Sequence, residues 1–312
     1  MSYQATGLLL SSVGGRFCVR LFDTQEGPLS GKTIAAKGRG TLHRELDLLA
    51  GDRVVVSYDE NGENVVIEKV LERKSALIRP PVANLDYLFA ALAVASPEPD
   101  LCTFDKLLAI AEYHEIEPVV LLTKYDLDER RASELVALYR KAGFLVFCLG
   151  EGENFDFPAL QNFVKDELAG KLASLAGASG IGKSTLLNKI FPDLHLETGE
   201  VSQKIARGKN TTRKVQLYPT SNDPNCGYLA DTPGFTLIDF ERFDFFAKDD
   251  LPYTFREFSP YLANWGCRYT KCSHTKEDGC AIRDAVARGE ISASRHASFC
   301  ALYEVLKKKK EW

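Results

Sequence analysis

A glycine-rich segment near the middle of the chain carries the pattern G-x-x-x-x-G-K-[ST] at residues 177–184. An apolar run at residues 172–176 predicts a strand before it, and residues 184–190 have the pattern of a helix start. In this order the glycines let backbone N–H groups converge on a polyphosphate, and the helix N-terminus adds further donors. Lys183 would reach the β- and γ-phosphates, and Ser184 would offer its hydroxyl to Mg²⁺. The predicted phosphate-contacting residues are Gly177, Ala178, Ser179, Gly180, Ile181, Gly182, Lys183, Ser184 and Thr185.

A second short motif, Thr123-Lys124-Tyr125-Asp126, follows an apolar run at residues 119–122. The Asp126 carboxylate can accept hydrogen bonds from both N1–H and the 2-amino group of guanine. Adenine offers no such pair of donors and would leave a buried acceptor unsatisfied. Lys124 would lay its alkyl stem along the ring. The motif therefore predicts a nucleotide-binding loop that selects guanine.

A third motif, Asp231-Thr-Pro-Gly234, follows a predicted strand at residues 228–230. Asp231 can bind Mg²⁺ through water, and the Gly234 N–H can meet a γ-phosphate. Each of the two short motifs alone could equally be a surface turn. Each of the three motifs follows a predicted strand, and this shared placement favours a single GTP site.

Residues 1–75 have the pattern of about five short strands, predicted at residues 6–10, 17–22, 32–36, 52–58 and 64–70. Asn61-Gly62 between two alternating apolar runs predicts a hairpin. This length and strand number fit a small β-barrel, of which the oligonucleotide-binding (OB) barrel is one type. A basic stretch contains Lys32, Lys37, Arg39 and Arg44. It could follow a phosphate backbone or be a solvated charged loop, and the sequence does not separate the two.

From residue 76 onward the pattern alternates between strands and helices. Residues 76–90 are interpreted as a linker because of Pro80-Pro81. Strands are predicted at 119–122, 144–149 and 172–176, and helices at 129–142 and 158–169. Such alternation predicts a mostly parallel, doubly wound sheet with ligands at the carboxyl ends of its strands. We expect three domains, a barrel at 1–75, an α/β domain at 76–236 and a C-terminal domain at 237–312.

The C-terminal residues contain Cys267-x4-Cys272-x-His274-x5-Cys280. Four soft ligands within so short a span suit tetrahedral Zn²⁺, and a Cys₃His set leaves no open coordination position, so the metal would be structural. The alternative is a group of ordinary buried cysteines with a surface histidine. Helices are expected at residues 281–288 and after Ser292 or Ser294. The lysines at 307–310 either complement the end of the last helix or contact RNA.

Composition excludes several classes of protein. The 312 residues are 45% hydrophobic and 26% charged, as in a folded globular chain, and the net charge of −4 argues against indiscriminate nucleic-acid binding. The longest apolar run, residues 87–95, is too short to span a bilayer, and the N-terminus lacks the blocks of a signal peptide. We therefore expect a cytoplasmic protein whose eight cysteines are thiols or metal ligands.

The order of these motifs behind an N-terminal β-barrel resembles the circularly permuted GTPases that assemble the small ribosomal subunit (RsgA/YjeQ-like). In most GTPases the phosphate loop comes first and the base-reading motif last, whereas here residues 123–126 come first. The resemblance covers nearly the whole chain. It implies an OB barrel, a central GTPase and a C-terminal zinc domain. The implied activity is GTP hydrolysis in late maturation of the 30S subunit, stimulated by that subunit.

The resemblance also implies site residues and partners. Residues 208–213 correspond to the family's switch region, with Thr211 or Thr212 on Mg²⁺ and Thr212 beside Lys183 in catalysis. The implied partners are GTP, the small subunit and its 16S rRNA, for a protein that is monomeric and away from membranes. A P-loop ATPase and a nucleotide-gated rRNA-binding scaffold with negligible turnover remain alternatives.

The chain departs from the family pattern in three places, and it also differs from Ras-like proteins at Phe235. Thr123 replaces the usual Asn, and we expect weaker nucleotide binding because a hydroxyl cannot make the paired bonds of an amide. Lys209-Asn210 stands where Arg-His is usual. Gly150-Glu-Gly is merely a positional candidate for the base-backing motif. Phe235 lies where Ras-like proteins place a catalytic Gln, so we expect slow intrinsic hydrolysis.

Overall fold

The computed structural model describes most of the chain. The residues described are 2–13, 16–23, 27–39, 48–77, 81–151, 155–178, 180–181, 183–190, 215–221, 223, 225–231, 247–263 and 266–308. The chain divides into two compact units. The first unit is Met1–Tyr87, Gln161–Leu175 and Ser184–Phe235, and the second is Leu88–Leu160, Ala176–Lys183 and Thr236–Trp312. The three-domain division expected from the sequence stays a prediction.

The N-terminal part of the first unit is a closed five-stranded barrel. Its strands are β1 (Ser2–Val13), β2 (Arg16–Leu21), β3 (Thr33–Gly38), β4 (Arg53–Asp59) and β5 (Val66–Val70). Strand β1 pairs with β2 and β4, β3 pairs with β2 and β5, and β4 pairs with β5, so the ring of strands closes. Alternate side chains such as Val19, Val54 and Ile67 fill the interior. The predicted barrel is confirmed.

The predicted hairpin joins β4 to β5. Gly62 has φ 75°, a conformation open to glycine at no steric cost. The Asp59 carboxylate accepts from the backbone N–H groups of Glu63 at 2.6 Å and Asn61 at 3.2 Å. These donors hold the pKa of Asp59 below its usual value.

The described residues of the segment 76–90, namely 76–77 and 81–90, include paired strands, so the interpretation of this segment as a linker was wrong. Short strands β6 (Ala76–Leu77) and β7 (Val82–Ala83) pair with each other. The Ala83 N–H donates to the Ala50 carbonyl at 2.9 Å, which fastens this hairpin to the barrel. A β-carbon on Gly51 would lie 2.1 Å from the Ala83 carbonyl oxygen, so this contact requires glycine. Pro81 lies in a turn that leads directly into β7.

Three further strands belong to the first unit. Strand β11 (Leu172–Gly177) pairs in parallel with β13 (Tyr228–Asp231), and β12 (Gln216–Pro219) pairs antiparallel with β13. Strand β12 also meets β1, with Gln216 opposite Ser11. The predicted strands before the phosphate loop and before Asp231 are therefore present, and β12 is an addition that the sequence did not indicate.

The second unit contains the neighbouring strands β8, β9 and β10 with helices around them. The strands are β8 (Tyr87–Ala93), β9 (Glu117–Thr123) and β10 (Leu145–Cys148), and the helices are α1 (Leu101–Tyr113) and α2 (Glu129–Lys141). Helix α3 (Phe157–Glu167) begins in this unit but belongs mostly to the first, and α4 (Lys183–Ile190) belongs to the first unit except for Lys183. Strands β9 and β10 are parallel, with Leu122 opposite Cys148. The predicted alternation of strands and helices is confirmed. Strand β8 and helix α1 had not been predicted.

The C-terminal residues of the second unit are mostly helical. They form α5 (Ser259–Leu262), α6 (Ala281–Ala287) and α7 (Ala293–Lys307). Three fully buried rings, Phe255, Phe258 and Phe299, lie with centroids 5.0–5.4 Å apart at the centre of this part. Ser292 occupies the N-cap position of α7, one of the two positions expected. Among the described residues, none of the helices has both the length and the apolar character that crossing a membrane requires.

Candidate nucleotide site and metal centre

The Thr-Lys-x-Asp loop and the phosphate loop meet through Lys124. This residue follows β9 in a left-handed conformation, with φ 57°. Its ammonium group donates to the Gly180 carbonyl at 3.3 Å and to the Ser96 carbonyl. Two segments far apart in sequence are therefore held together by one side chain, as a shared nucleotide site requires.

The phosphate loop is closely packed at its first glycine. A β-carbon on Gly177 would lie 2.3 Å from Ile181 Cδ1 and 2.7 Å from the Ala91 carbonyl oxygen. The Lys183 ammonium donates to the carbonyls of Gly177 and Ala178, each at 2.9 Å. Burial lowers the pKa of Lys183. The lysine therefore lies over its own loop, close to where the pattern would place the phosphates.

Asp126 is exposed and its carboxylate is oriented by the backbone. The Glu151 N–H donates to Asp126 Oδ1 at 3.2 Å. The hydrogen bonds of β9 with β10 continue past both strands, since Leu149 N–H donates to the Leu122 carbonyl at 2.7 Å and Tyr125 N–H to the Leu149 carbonyl at 3.2 Å. This extension brings residues 149–151 beside the base-reading loop.

Thr123 ends β9 with its side chain buried, at 6% exposure. Its hydroxyl has no hydrogen-bond partner among the described residues. A buried hydroxyl without a partner is destabilising by itself. The residue that departs from the usual Asn thus has a buried polar atom without a partner among the described residues.

Several predicted site residues cannot be placed. Ser179, Gly182, Thr211, Thr212 and Gly234 lie outside the described residues. Asp231 is the last residue of β13, and Ser184 and Thr185 are in the first turn of α4, but their side chains are outside the described part. Their roles toward phosphate and Mg²⁺ stay predictions.

Two groups that contact the site carry little or no sequence signal. The Glu151 N–H donates to Asp126, and the Ser96 carbonyl accepts from Lys124. Both are backbone groups, which any residue type could provide. The position of Glu151 just after β10 marks it as a candidate. Ser96 lies in a loop before α1, and nothing in its sequence points to the site.

The Cys₃His group brings four potential ligand atoms together, as a metal site requires. The four ligand atoms of Cys267, Cys272, His274 and Cys280 lie within 4.8 Å of one another. His274 Nδ1 is 3.5 Å from the sulfurs of Cys267 and Cys280, and these two sulfurs are 3.9 Å apart. A zinc tetrahedron with the usual bond lengths has N···S edges of about 3.5 Å and S···S edges of about 3.8 Å. The residues therefore fit zinc.

The loop that carries these ligands is fixed from outside. His274 has φ 60°, and its carbonyl oxygen lies 2.7 Å from Nε2 of His296 on α7. Such outer contacts orient a metal ligand.

On α7, the residue that precedes His296 is Arg295. Its guanidinium contacts the carboxylates of Asp105 on α1 and Glu257, and all three side chains are buried.

Comparison with known proteins agrees with this arrangement. A family model described as RsgA GTPase matches residues 70–241. The "Small ribosomal subunit biogenesis GTPase RsgA" of Alkaliphilus metalliredigens is 34% identical over 99% of this chain and 100% of its own length. The protein of the same name from Clostridium perfringens (strain 13) is 38% identical over 96% of each chain.

Solved structures are similar over the full length. YjeQ from Thermotoga maritima has a TM-score of 0.80 and 30% identity, covering 99% of this chain and 100% of that one. YloQ, described as a circularly permuted GTPase, has a TM-score of 0.76 and 26% identity over 99% and 98% of the two chains.

The fold and the order of its motifs define a circularly permuted P-loop GTPase with an N-terminal barrel and a C-terminal Cys₃His segment. Within that class, the chain belongs to the RsgA GTPase family.

Proposed function

We propose that this chain binds and hydrolyses GTP as a late assembly factor of the small ribosomal subunit, in the cytoplasm. The observation that carries the nucleotide site is the contact between Lys124 and Gly180, because it joins the base-reading loop to the phosphate loop. The printed names of the full-length relatives support the role in subunit biogenesis.

Each loop has a separate task in this proposal. Asp126 reads the guanine edge, with Lys124 along the ring. The N–H groups of residues 177–185 hold the phosphates, and Lys183 exchanges its two carbonyl partners for phosphate oxygens. Mg²⁺, when bound with GTP, would supply positive charge to offset the negative charge of the phosphates. The residues proposed to hold it are Ser184, Asp231 and either Thr211 or Thr212.

We assign zinc to Cys267, Cys272, His274 and Cys280 as one structural ion. Four protein ligands complete a tetrahedron, so the ion has no position for substrate. Its contribution is to hold the loop that carries these four ligands in its folded form beside α7.

The proposed ribosomal partner is the 16S rRNA. On the barrel, Lys32, Lys37 and Arg39 are exposed along and beside β3, and their charges suit a phosphate backbone. The monomeric state is likewise part of the proposal.

Guanine selectivity tests the site directly. Labelled GTP should be displaced by GDP but not by ATP, and Asp126→Asn should shift preference toward xanthine nucleotide, whose 2-oxo group suits an amide donor. Equal competition by ATP and GTP would instead indicate an ATPase.

Stimulation tests the role in assembly. With Phe235 in place of a water-orienting Gln, single-turnover GTP cleavage should be slow alone and faster with purified small subunits. Fast cleavage that the subunits leave unchanged would contradict the proposal, and tight binding without turnover in either case would indicate a scaffold.

A further inference from the structure

The turn that follows β10 lies against the carboxylate of Asp126. A β-carbon on Gly150 would lie 2.7 Å from Asp126 Oδ1 and 2.6 Å from Cζ of Phe155. Real β-carbons do not approach heavy atoms so closely, so either the carboxylate or the ring would have to move. The backbone of Gly150 itself is not in the left-handed region. A side chain at position 150 would therefore displace the end of one of two side chains, and one of these is the Asp126 carboxylate.

The same turn donates to that carboxylate. The Glu151 N–H donates a hydrogen bond to Asp126 Oδ1 at 3.2 Å. This is the same carboxylate oxygen that lies beside Gly150. One oxygen of Asp126 is thus held by a backbone donor and packed against a glycine. The rotation of the carboxylate is restricted before any base arrives.

The turn is itself anchored. Asp156 accepts from the Cys148 N–H at 2.8 Å, and its own N–H donates to the Cys148 carbonyl at 2.9 Å. The ring of Phe155 packs edge-on against Tyr125, with centroids 5.9 Å apart. These contacts fix the chain before Gly150 and after Glu151. Residues that support Asp126 rigidly must themselves be held in place.

We propose that Gly150 and the Glu151 N–H are positioning groups for guanine recognition, which set the angle at which Asp126 meets N1–H and the 2-amino group. The inference rests on the proposed function, since it takes Asp126 as the base-reading residue. It gives this chain a base-supporting element without a Ser-Ala sequence, built from a glycine and a backbone donor.

The test measures dissociation constants for GDP and for IDP, which lacks the 2-amino group, by calorimetry. Gly150→Ala should weaken GDP binding about tenfold, the value of one hydrogen bond to a charged group, and should narrow the preference for GDP over IDP. Glu151→Pro, which deletes the N–H, should lower GDP affinity much more than Glu151→Ala, which keeps it.

Two controls separate positioning from general damage. Gly170→Ala substitutes a glycine with φ 66° whose β-carbon would meet nothing within 4 Å, so it should leave the GDP/IDP ratio unchanged. In an Asp126→Ala background, Gly150→Ala should have no further effect, as a double-mutant cycle requires of groups that act through one another. An unchanged GDP/IDP ratio in Gly150→Ala, or full additivity with Asp126→Ala, would overturn the inference. Failure of the wild type to prefer GDP over ADP would overturn the proposed function itself.

Discussion

Nη1 of Arg295 lies 2.6 Å from Oδ1 of Asp105, and both side chains are only 1% exposed. Arg295 comes from the last helix, and Asp105 comes from the first helix of the second unit. The same guanidinium reaches Glu257 at 2.7 Å, and Tyr139 on α2 donates to Asp105 at 3.2 Å. A single buried network thus connects α7 to the two helices that flank β9.

Loss of this arginine should be strongly destabilising. Arg295→Met leaves two carboxylates buried without their cation, which typically costs about 3–5 kcal/mol. In urea unfolding at neutral pH, the midpoint of Arg295→Met should be lower than that of wild type. Arg288→Met removes an arginine from an exposed pair with Glu290 and should leave the midpoint where it is. Equal midpoints for the two variants would contradict a role for the buried network.

The cap of α1 should give a measurable pH dependence. Asp100 accepts from the Thr103 hydroxyl at 2.6 Å and from its N–H at 3.1 Å, and these bonds hold the pKa of Asp100 below its usual value. A lowered folded pKa stabilises the protein above the unfolded value of about 3.9, and this contribution is lost as pH falls through the folded pKa. Asp100→Ala should therefore cost about 1 kcal/mol at pH 7 and progressively less below pH ~4.

Urea unfolding of wild type and Asp100→Ala across this range checks the expectation. The difference between the two proteins is the relevant quantity, because other groups titrate in both. A difference that stays constant down to the acid limit would show that the carboxylate charge does not matter.

Substitution of Thr123 should change the stability of the protein and its affinity for GDP in opposite directions. Thr123→Val removes a buried hydroxyl without a partner among the described residues, so stability should rise by about 1 kcal/mol. If that hydroxyl bonds nucleotide, GDP affinity should fall in the same variant, and Thr123→Asn should bind GDP more tightly than wild type. Calorimetry and urea unfolding measure the two effects.

Ser174→Ala is the matched control for this prediction. Its hydroxyl in β11 is also buried without a partner among the described residues, and it should change stability but leave GDP affinity alone. Unchanged affinity in Thr123→Val would show that the threonine serves the fold alone.

Metal binding should depend on the buried ligand Cys280. Cys280→Ser should reduce bound zinc from about one ion per chain to well below that, and should lower the unfolding midpoint because zinc binding is coupled to folding. Elemental analysis of the purified protein measures the first effect. Cys226→Ser, a cysteine outside the Cys₃His group, should retain the metal, and retention of full zinc by Cys280→Ser would contradict the assigned set.

Short-range patterns predicted the parts of the site that depend on residue type. The residues of the Thr-Lys-x-Asp loop, the phosphate loop and the Cys₃His group are each contiguous or closely spaced, so their chemistry is visible in the sequence. The barrel was also predictable, because alternating apolar residues and Asn61-Gly62 define its strands locally.

Other features depend on distant partners. Asp105 occupies the buried face of α1, where a carboxylate argues against a core helix until Arg295, 190 residues away, is known to pair with it. Strand β8 is apolar at every position, a pattern that fits a strand covered on both faces but also fits other buried segments. The Glu151 N–H is a backbone atom and leaves no trace in residue type.

The chain order of the second unit has a consequence for synthesis. Its segments include β8 and also α7, so residues far apart in the chain complete one unit. Asp105 precedes its partner Arg295 by 190 residues. Until α7 leaves the ribosomal exit tunnel, Asp105 and Glu257 are without the guanidinium that neutralises them. In a nascent chain, the second unit therefore lacks this buried neutralisation until the segment that carries Arg295 has been synthesised.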